Sequence, residues 1–221
     1  MMIDFNSIPD RSPLIDPNLE EQLRGILAKI QKPITMVCIC DAGDKSLEMA
    51  SLLKHIAGIH PNLSLRLLSP GEDADADTAL DASLLPAAGF QNEDGFARVA
   101  FHGVPGGKEM TGFVSALLAF AGAAKPLDKP TLRDIGRIKS STHLRICVSL
   151  ACQHCAKMVM NAQRIALENS LVSAHMIDAN LYPKLVEQYA ISRVPLLICD
   201  DKVLATGGMT MAELCSLLIK R

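Results

Sequence analysis

Apolar residues recur along the chain in two alternating patterns, one with the spacing of an amphipathic helix and one of short runs typical of buried strands. The first helix should follow Asp16, a good N-cap residue, with Pro17 at the first helical position. A β-branched run then predicts the first strand. In the first half the predicted elements are a helix over 19–30, a strand over 34–40, a helix over 47–57, strands over 63–68, 87–90 and 96–101, and a helix over 109–122.

The same order of elements recurs in the second half. A shift of 109 residues places the strand at 34–40 on 143–149 and Pro86 on Pro195. A repeat this long predicts two sibling domains rather than a solenoid. The Pro- and Ala-rich stretch at 123–129 predicts the boundary, which gives domains 1–124 and 125–221. The second-half elements are helices over 132–138, 158–166, 182–189 and 211–220, and strands over 144–150, 171–178, 196–199 and 203–205.

One segment breaks this pattern. Residues 69–83 contain Pro, Gly and the acidic run EDADAD, so we expect an exposed loop there and no regular element. The acidic part, 72–77, looks like an addition to the repeat, and the sequence gives it no role.

Composition narrows the class of protein. The chain has 221 residues, a net charge of −2 and 49% apolar residues, which is typical of a soluble globular protein with no strong attraction for nucleic acid or anionic membranes. No leader pattern and no run of about 20 apolar residues is found, so the predicted location is the cytoplasm. Five of the seven cysteines lie in apolar stretches and should be reduced, buried thiols: Cys38, Cys40, Cys147, Cys199 and Cys215.

The other two cysteines form a CxxC motif, Cys152-Gln153-His154-Cys155, where a strand ends and a helix begins. The amides of a helix start and a nearby His favour a thiolate, so Cys152 is the predicted nucleophile. Cys155, one turn further on, is placed to resolve a mixed disulfide. His154 could tune the thiolate or could simply be a solvated residue of the motif.

A CxxC motif has a second interpretation, as half of a zinc site. Cys38 and Cys40 would then supply the other two ligands. A structural zinc site needs four converging ligands, and these two cysteines lie in a stretch that predicts a buried strand. The redox interpretation is therefore preferred, and no metal is expected.

The motif, together with Arg193-Val194-Pro195 before the last hairpin, resembles thioredoxin. The resemblance implies that the Val194-Pro195 bond is cis, that Pro195 faces the dithiol, and that Val194 offers backbone groups to a bound partner. More narrowly, the chain resembles the N-terminal domain of the flavoprotein subunit of bacterial alkyl hydroperoxide reductase. The matching stretches are NLEEQLRGILAKIQKPITM, GVPGGKEMTGFVSALLAFAG, SLACQHC and SRVPLLICDDKVLATGGMTMAEL.

This second resemblance implies an α/β fold of two tandem thioredoxin-like units, each with a central mixed sheet flanked by helices. Only the second unit would be redox-active, through a Cys152–Cys155 disulfide. Glu109 matches a glutamate of the silent unit that lies near the redox pair. Gly43 and Ser46 take the places of the cysteines in the first unit, which would serve as scaffold and docking surface.

Members of that family pass electrons from a flavin- and NADH-dependent module, similar to thioredoxin reductase, to a peroxiredoxin. This chain has no Gly-rich dinucleotide fingerprint in a βαβ context, so we expect it to bind no cofactor itself. FAD and NAD(P)H should belong to a separate flavoprotein partner, and the client should be a peroxiredoxin or another disulfide-containing protein.

Two other functions remain open at this point. One is a general protein disulfide oxidoreductase or isomerase of the two-unit glutaredoxin-like type, and the weaker one is a non-catalytic binding module. Reduction potential separates the first from an electron carrier, since reductive carriers lie near about −270 mV and isomerases near about −180 mV.

Overall fold

Asp16 begins the first helix as the sequence predicts, because its carboxylate accepts a hydrogen bond from the Leu19 amide and Pro17 follows it. The computed structural model describes residues 5–221. Its helices are α1 Pro17–Leu27, α2 Asp44–Ile59, α3 Ala74–Leu80, α4 Glu109–Phe120, α5 Lys129–Gly136, α6 Cys155–Glu168, α7 Pro183–Gln188 and α8 Met211–Ile219. Its strands are β1 Ile34–Ile39, β2 Leu63–Leu68, β3 Ala87–Asn92, β4 Gly95–His102, β5 Thr142–Val148, β6 Val172–Asp178, β7 Leu196–Cys199 and β8 Lys202–Thr206. In this range no helix is long and apolar enough to cross a bilayer.

The two halves have the same strand topology, as the sequence repeat predicts. β1 pairs in parallel with β2 and antiparallel with β3, and β5 pairs in the same way with β6 and β7. The thioredoxin-like α/β fold is therefore confirmed. The boundary at 124/125 falls in the connection between α4 and α5, and as a division into domains it stays a prediction.

The two half-sheets are fused into one. The strand order is β2-β1-β3-β4-β6-β5-β7-β8, and β4 of the first half pairs in parallel with β6 of the second. The register places Val99 opposite Ala174 and His102 opposite Ile177. The sequence repeat gives no indication of this join, because it relates the two copies and carries no information on how they meet.

Helices cover the two faces of the sheet unequally. α1, α2, α4, α5, α6 and α8 lie on one face over the main core, where the rings of Phe90 and Phe101 lie within 5.2 Å of that of Phe113. On the other face α3 packs on the first half-sheet, and α7 covers part of the second. The centre of this second face, where the halves meet, lies between α3 and α7.

The prediction of a loop over residues 69–83 is wrong, because α3 forms within it. The Asp73 carboxylate accepts hydrogen bonds from the amides of Asp75 and Ala76 and so caps the helix. Ala76 and Leu80, four residues apart, are fully buried against the sheet. Two apolar contacts in an otherwise acidic segment are too few to give a recognisable periodicity.

Buried histidines line the seam on the second face. Nε2 of His102 lies 3.1 Å from Nδ1 of His175, and Nδ1 of His102 lies 2.7 Å from the Leu84 carbonyl oxygen. A carbonyl only accepts, so His102 carries its proton on Nδ1 and His175 donates to His102 Nε2. Burial lowers the pKa of both rings, which keeps them neutral. The pair therefore joins β4 to β6 by a side-chain hydrogen bond across the seam.

We predict that α3 is a packed element and not a surface loop. Leu80 packs against the backbone of Gly89, where an added side chain would overlap it. Leu80→Ala should lower the free energy of unfolding in urea by about 2–4 kcal/mol. Thr78→Ser, an exposed change in the same helix, should cost less than about 0.5 kcal/mol. Equal effects of the two changes would contradict the packing of α3.

Candidate active site

The CxxC motif lies in the turn between β5 and α6. β5 ends at Val148, earlier than predicted, and α6 begins at Cys155, the last residue of the motif. The Cys152 amide donates to the Ser149 carbonyl at 2.9 Å, which closes the turn. Cys152 and Cys155 form a disulfide with their Cα atoms 5.6 Å apart.

The two sulfurs differ in access. Cys155 is fully buried, whereas Cys152 is half-buried. An incoming thiol or thiolate can therefore reach the outer sulfur, of Cys152, and is shielded from the inner one. This difference agrees with the order of attack that the sequence predicts, although the two roles stay predictions.

His154 precedes α6 and is exposed, and its side chain does not cap the helix. Gly208 lies beside it, since a Cβ added at Gly208 would be 3.4 Å from the His154 Cβ. Among residues 5–221 the imidazole makes no hydrogen bond to either cysteine. The structure therefore adds nothing in favour of His154 as a tuning group, and its role stays a prediction.

The Val194-Pro195 peptide bond is cis, as the resemblance to thioredoxin implies. The Val194 carbonyl oxygen lies 3.9 Å from Cys152 Sγ. Val194 is half-buried, so its backbone forms one wall beside the reactive sulfur. A partner chain bound along this wall would approach Cys152 directly; docking here stays a prediction.

The matching place in the first half is closed. Leu85-Pro86 is also cis, but the Leu85 carbonyl accepts a hydrogen bond from the Tyr182 hydroxyl at 3.1 Å. Tyr182 belongs to the second half. The Val194 carbonyl is accessible beside Cys152, whereas its first-half equivalent, the Leu85 carbonyl, already accepts a hydrogen bond.

The cysteine positions of the first half hold residues without redox chemistry. Gly43 precedes α2, and Ser46 is fully buried, with its hydroxyl donating to Asp41 Oδ1 at 2.6 Å. The sulfurs of Cys38, in β1, and Cys40, just after it, lie 3.4 Å apart, and both residues are buried. Within the described chain no three His, Cys, Asp or Glu side chains are arranged to hold a metal ion.

Glu109 is the first residue of α4 and is only 1% exposed. Neither of its carboxylate oxygens has a hydrogen-bond partner in the described part of the chain. A Cβ added at Gly112 would lie 3.7 Å from Glu109 Oε2 and 4.0 Å from Val159 Cγ1, and Val159 is one turn beyond Cys155 in α6. The carboxyl therefore lies at the contact between α4 and the redox helix.

The surroundings of Glu109 favour its protonated form. Burial raises the pKa of Glu109 to about 7, and the negative charge of Asp178 contributes to the rise. A carboxyl with this pKa exchanges a proton readily near neutral pH.

Asp178, whose charge acts on Glu109, is a residue that the sequence analysis did not single out. It ends β6, is 5% exposed, and its Oδ1 accepts from the backbone and side-chain amides of Asn180, each at 3.1 Å. Gly103, directly after β4, lies against it, because an added Cβ there would be 2.9 Å from the Asp178 Cβ. An acid at the end of an apolar strand was the available signal.

The comparisons with known proteins agree with this geometry. Residues 142–219 match the family described as a thioredoxin domain. The chain is 28% identical over 201 residues to the F subunit of alkyl hydroperoxide reductase of Pseudomonas aeruginosa, an alignment covering 91% of this chain and 36% of that protein. The Staphylococcus aureus (strain NCTC 8325) protein of the same name is 26% identical over 206 residues, an alignment covering 93% of this chain and 38% of that protein. The chain thus spans little more than a third of the length of these relatives.

Solved structures extend the likeness to the fold. The F subunit of alkyl hydroperoxide reductase of Enterococcus faecalis, as a C503A mutant, superposes with a TM-score of 0.86 at 28% identity, covering 93% of this chain and 99% of that chain. A protein disulfide oxidoreductase from Aeropyrum pernix gives 0.81 at 16% identity, over 99% of this chain and 94% of that chain, which supports the fold alone. The resemblance that the sequence indicated is confirmed.

We predict that the Glu109 charge destabilises the fold at neutral and alkaline pH. Between its ordinary pKa of 4.5 and about 7 the folded chain binds a proton that the unfolded chain has lost, so this contribution to stability falls as pH rises through that window. Glu109→Gln should therefore be more stable than the parent at pH 8, by about 3 kcal/mol. The gap should close towards pH 4.5. Urea unfolding across this pH range measures it, and a variant no more stable at pH 8 would contradict the assignment.

Proposed function

We propose that this chain, a thioredoxin-fold relative of the alkyl hydroperoxide reductase flavoprotein, is a thiol–disulfide oxidoreductase of the cytoplasm that carries electrons from a flavoprotein to a disulfide client. The observation that carries the proposal is the Cys152–Cys155 pair at the start of α6, with one sulfur accessible beside the Val194 carbonyl and one buried. A disulfide with one reachable sulfur is suited to stepwise exchange.

The exchange proceeds in two balanced steps. In the reduced protein the Cys152 thiolate attacks one sulfur of the client disulfide, and the other client sulfur leaves as a thiolate. The Cys155 thiolate then attacks Cys152, which closes the Cys152–Cys155 disulfide and releases the second client thiolate. The client gains two electrons, and a donor must return two electrons to this chain.

Glu109 is proposed to move the proton that the second step requires. The buried Cys155 must lose its proton before it attacks, and a carboxyl with a pKa of about 7 at the contact between α4 and α6 can accept it and release it again. Val194 and Pro195 would align the client backbone for the first step.

The proposed partners follow from the relatives. The Pseudomonas aeruginosa relative is the F subunit of an alkyl hydroperoxide reductase, and this chain covers a little over a third of its length. These 221 residues contain no Gly-rich dinucleotide fingerprint in a βαβ context, so the proposed electron donor is a flavoprotein partner similar to thioredoxin reductase that holds FAD and NAD(P)H, and the proposed client is a peroxiredoxin or another disulfide protein.

We predict different products from the two cysteine variants. Cys152→Ser should abolish reduction of an oxidised peroxiredoxin, because the accessible nucleophile is lost. Cys155→Ser should still attack but should not resolve the adduct, so the client stays covalently attached. Non-reducing gels of each variant after incubation with oxidised peroxiredoxin show the difference. Trapping by Cys152→Ser alone would reverse the roles, and full activity of both variants would remove the motif from the mechanism.

A further prediction concerns the pH dependence of exchange. Glu109→Gln should slow single-turnover reduction of a disulfide substrate about 100-fold near pH 7, at the lower end of the usual range for loss of a general acid or base. The rate profile should also lose the inflection near the Glu109 pKa of about 7. Glu21→Gln, an exposed helical change, is the matched control. An unchanged profile would leave Glu109 as a structural residue.

A further inference from the structure

An apolar groove runs along α4 on the helical face of the sheet. One part, about 320 Å³, lies between α1 and α4; a second, about 360 Å³, is bounded by α4 and α6; a third, about 250 Å³, reaches α5. Neighbouring parts share lining residues, Leu118 between the first two and Leu127 between the last two. The three parts form one continuous surface, here called the α4 groove.

Exposed apolar side chains lie near the two ends of the α4 groove. Ile26 lines the part beside α1 and is 39% exposed, and Leu132 lines the part beside α5 and is 40% exposed. In the described chain few large apolar residues are this exposed. Single exposed apolar residues are common on proteins, but here they continue an extended apolar groove with charged residues along it, which is the kind of surface that another protein covers.

The charges of the α4 groove are mainly positive. Lys29 and Lys125 line it and form no ion pair among residues 5–221. Arg164 pairs with Glu168 at 2.8 Å, yet its Nε is buried without a partner. Glu168 is the acidic side chain of the lining and is already paired. The groove therefore offers unmatched positive charge beside apolar floor.

The walls determine which shape of partner fits. The groove is bounded by helices, whose backbone groups are bonded internally, so it offers no strand edge to pair with. A bound segment must satisfy its own backbone hydrogen bonds, which a helix does. α4 has 12 residues and is about 18 Å long, which matches about three turns of a docked helix.

We infer that the α4 groove docks an acidic amphipathic helix of a partner protein. Its apolar face would pack between Ile26 and Leu132, and its carboxylates would meet Lys29, Lys125 and Arg164. Neither Cys152 nor Cys155 lines any part of the groove. A partner held there leaves the disulfide open to a second protein, and the inference stands without the proposed function.

Two synthetic peptides test the inference with the full chain. One is a fluorescein-labelled 16-residue amphipathic helix of leucine and glutamate, and its twin has lysine in place of each glutamate. Fluorescence anisotropy in physiological salt should show the acidic peptide binding at least about tenfold more tightly than its twin, which equals about 1.4 kcal/mol. The double variant Lys29→Glu/Lys125→Glu should reverse that preference.

A matched control separates the groove from general charge attraction. Lys184→Glu/Lys202→Glu changes net charge equally, at exposed positions outside the α4 groove, and should leave the preference intact. Equal binding of the two peptides, or loss of the preference in this control, would overturn the inference. A concentration-dependent dimer in sedimentation that Lys29→Glu/Lys125→Glu disrupts would assign the groove to a second copy of the chain and also overturn it.

Discussion

The parallel pairing of β4 with β6 is the interaction on which the remaining arrangement depends. It joins two four-stranded halves into one eight-stranded sheet and fixes the register between them. With that register set, α4 of the first half packs against α6 of the second on the helical face. Glu109 lies beside α6 because it is carried there by α4, a helix of the first half.

The pairing of β4 with β6 also explains why the charge of Glu109 lowers the stability of the fold. Gly103 directly follows β4 and lies against Asp178, the last residue of β6. The seam therefore brings a carboxylate of the second half near the Glu109 carboxyl of α4. Burial raises the pKa of Glu109, and the negative charge of Asp178 adds to the rise. The same raised pKa has two effects: it lowers the stability of the fold at neutral pH, and it lets Glu109 exchange a proton near that pH.

Local chemistry accounts for what the sequence predicts well. The cap at Asp16 and the CxxC motif each depend on a few adjacent residues, so the sequence alone predicts them. The 109-residue repeat predicts the common topology of the two halves. The acidic helix α3 was missed because its signal is one cap, Asp73, and two buried residues. The β4–β6 pairing, with the His102–His175 bond, arises between distant segments whose own sequences do not name a partner.

Each half depends on the other to complete its sheet, so the halves divided at 124/125 are not structurally independent. Without the other half, β4 and β6 would each be an edge strand with unpaired backbone groups, and His102 would lose its partner His175. The halves also cross over on the second face, where the Tyr182 hydroxyl bonds to the Leu85 carbonyl. The Leu85 carbonyl is the first-half equivalent of the Val194 carbonyl, which lies beside Cys152. The contact between the halves therefore closes the Leu85 carbonyl, while the equivalent Val194 carbonyl stays accessible beside Cys152.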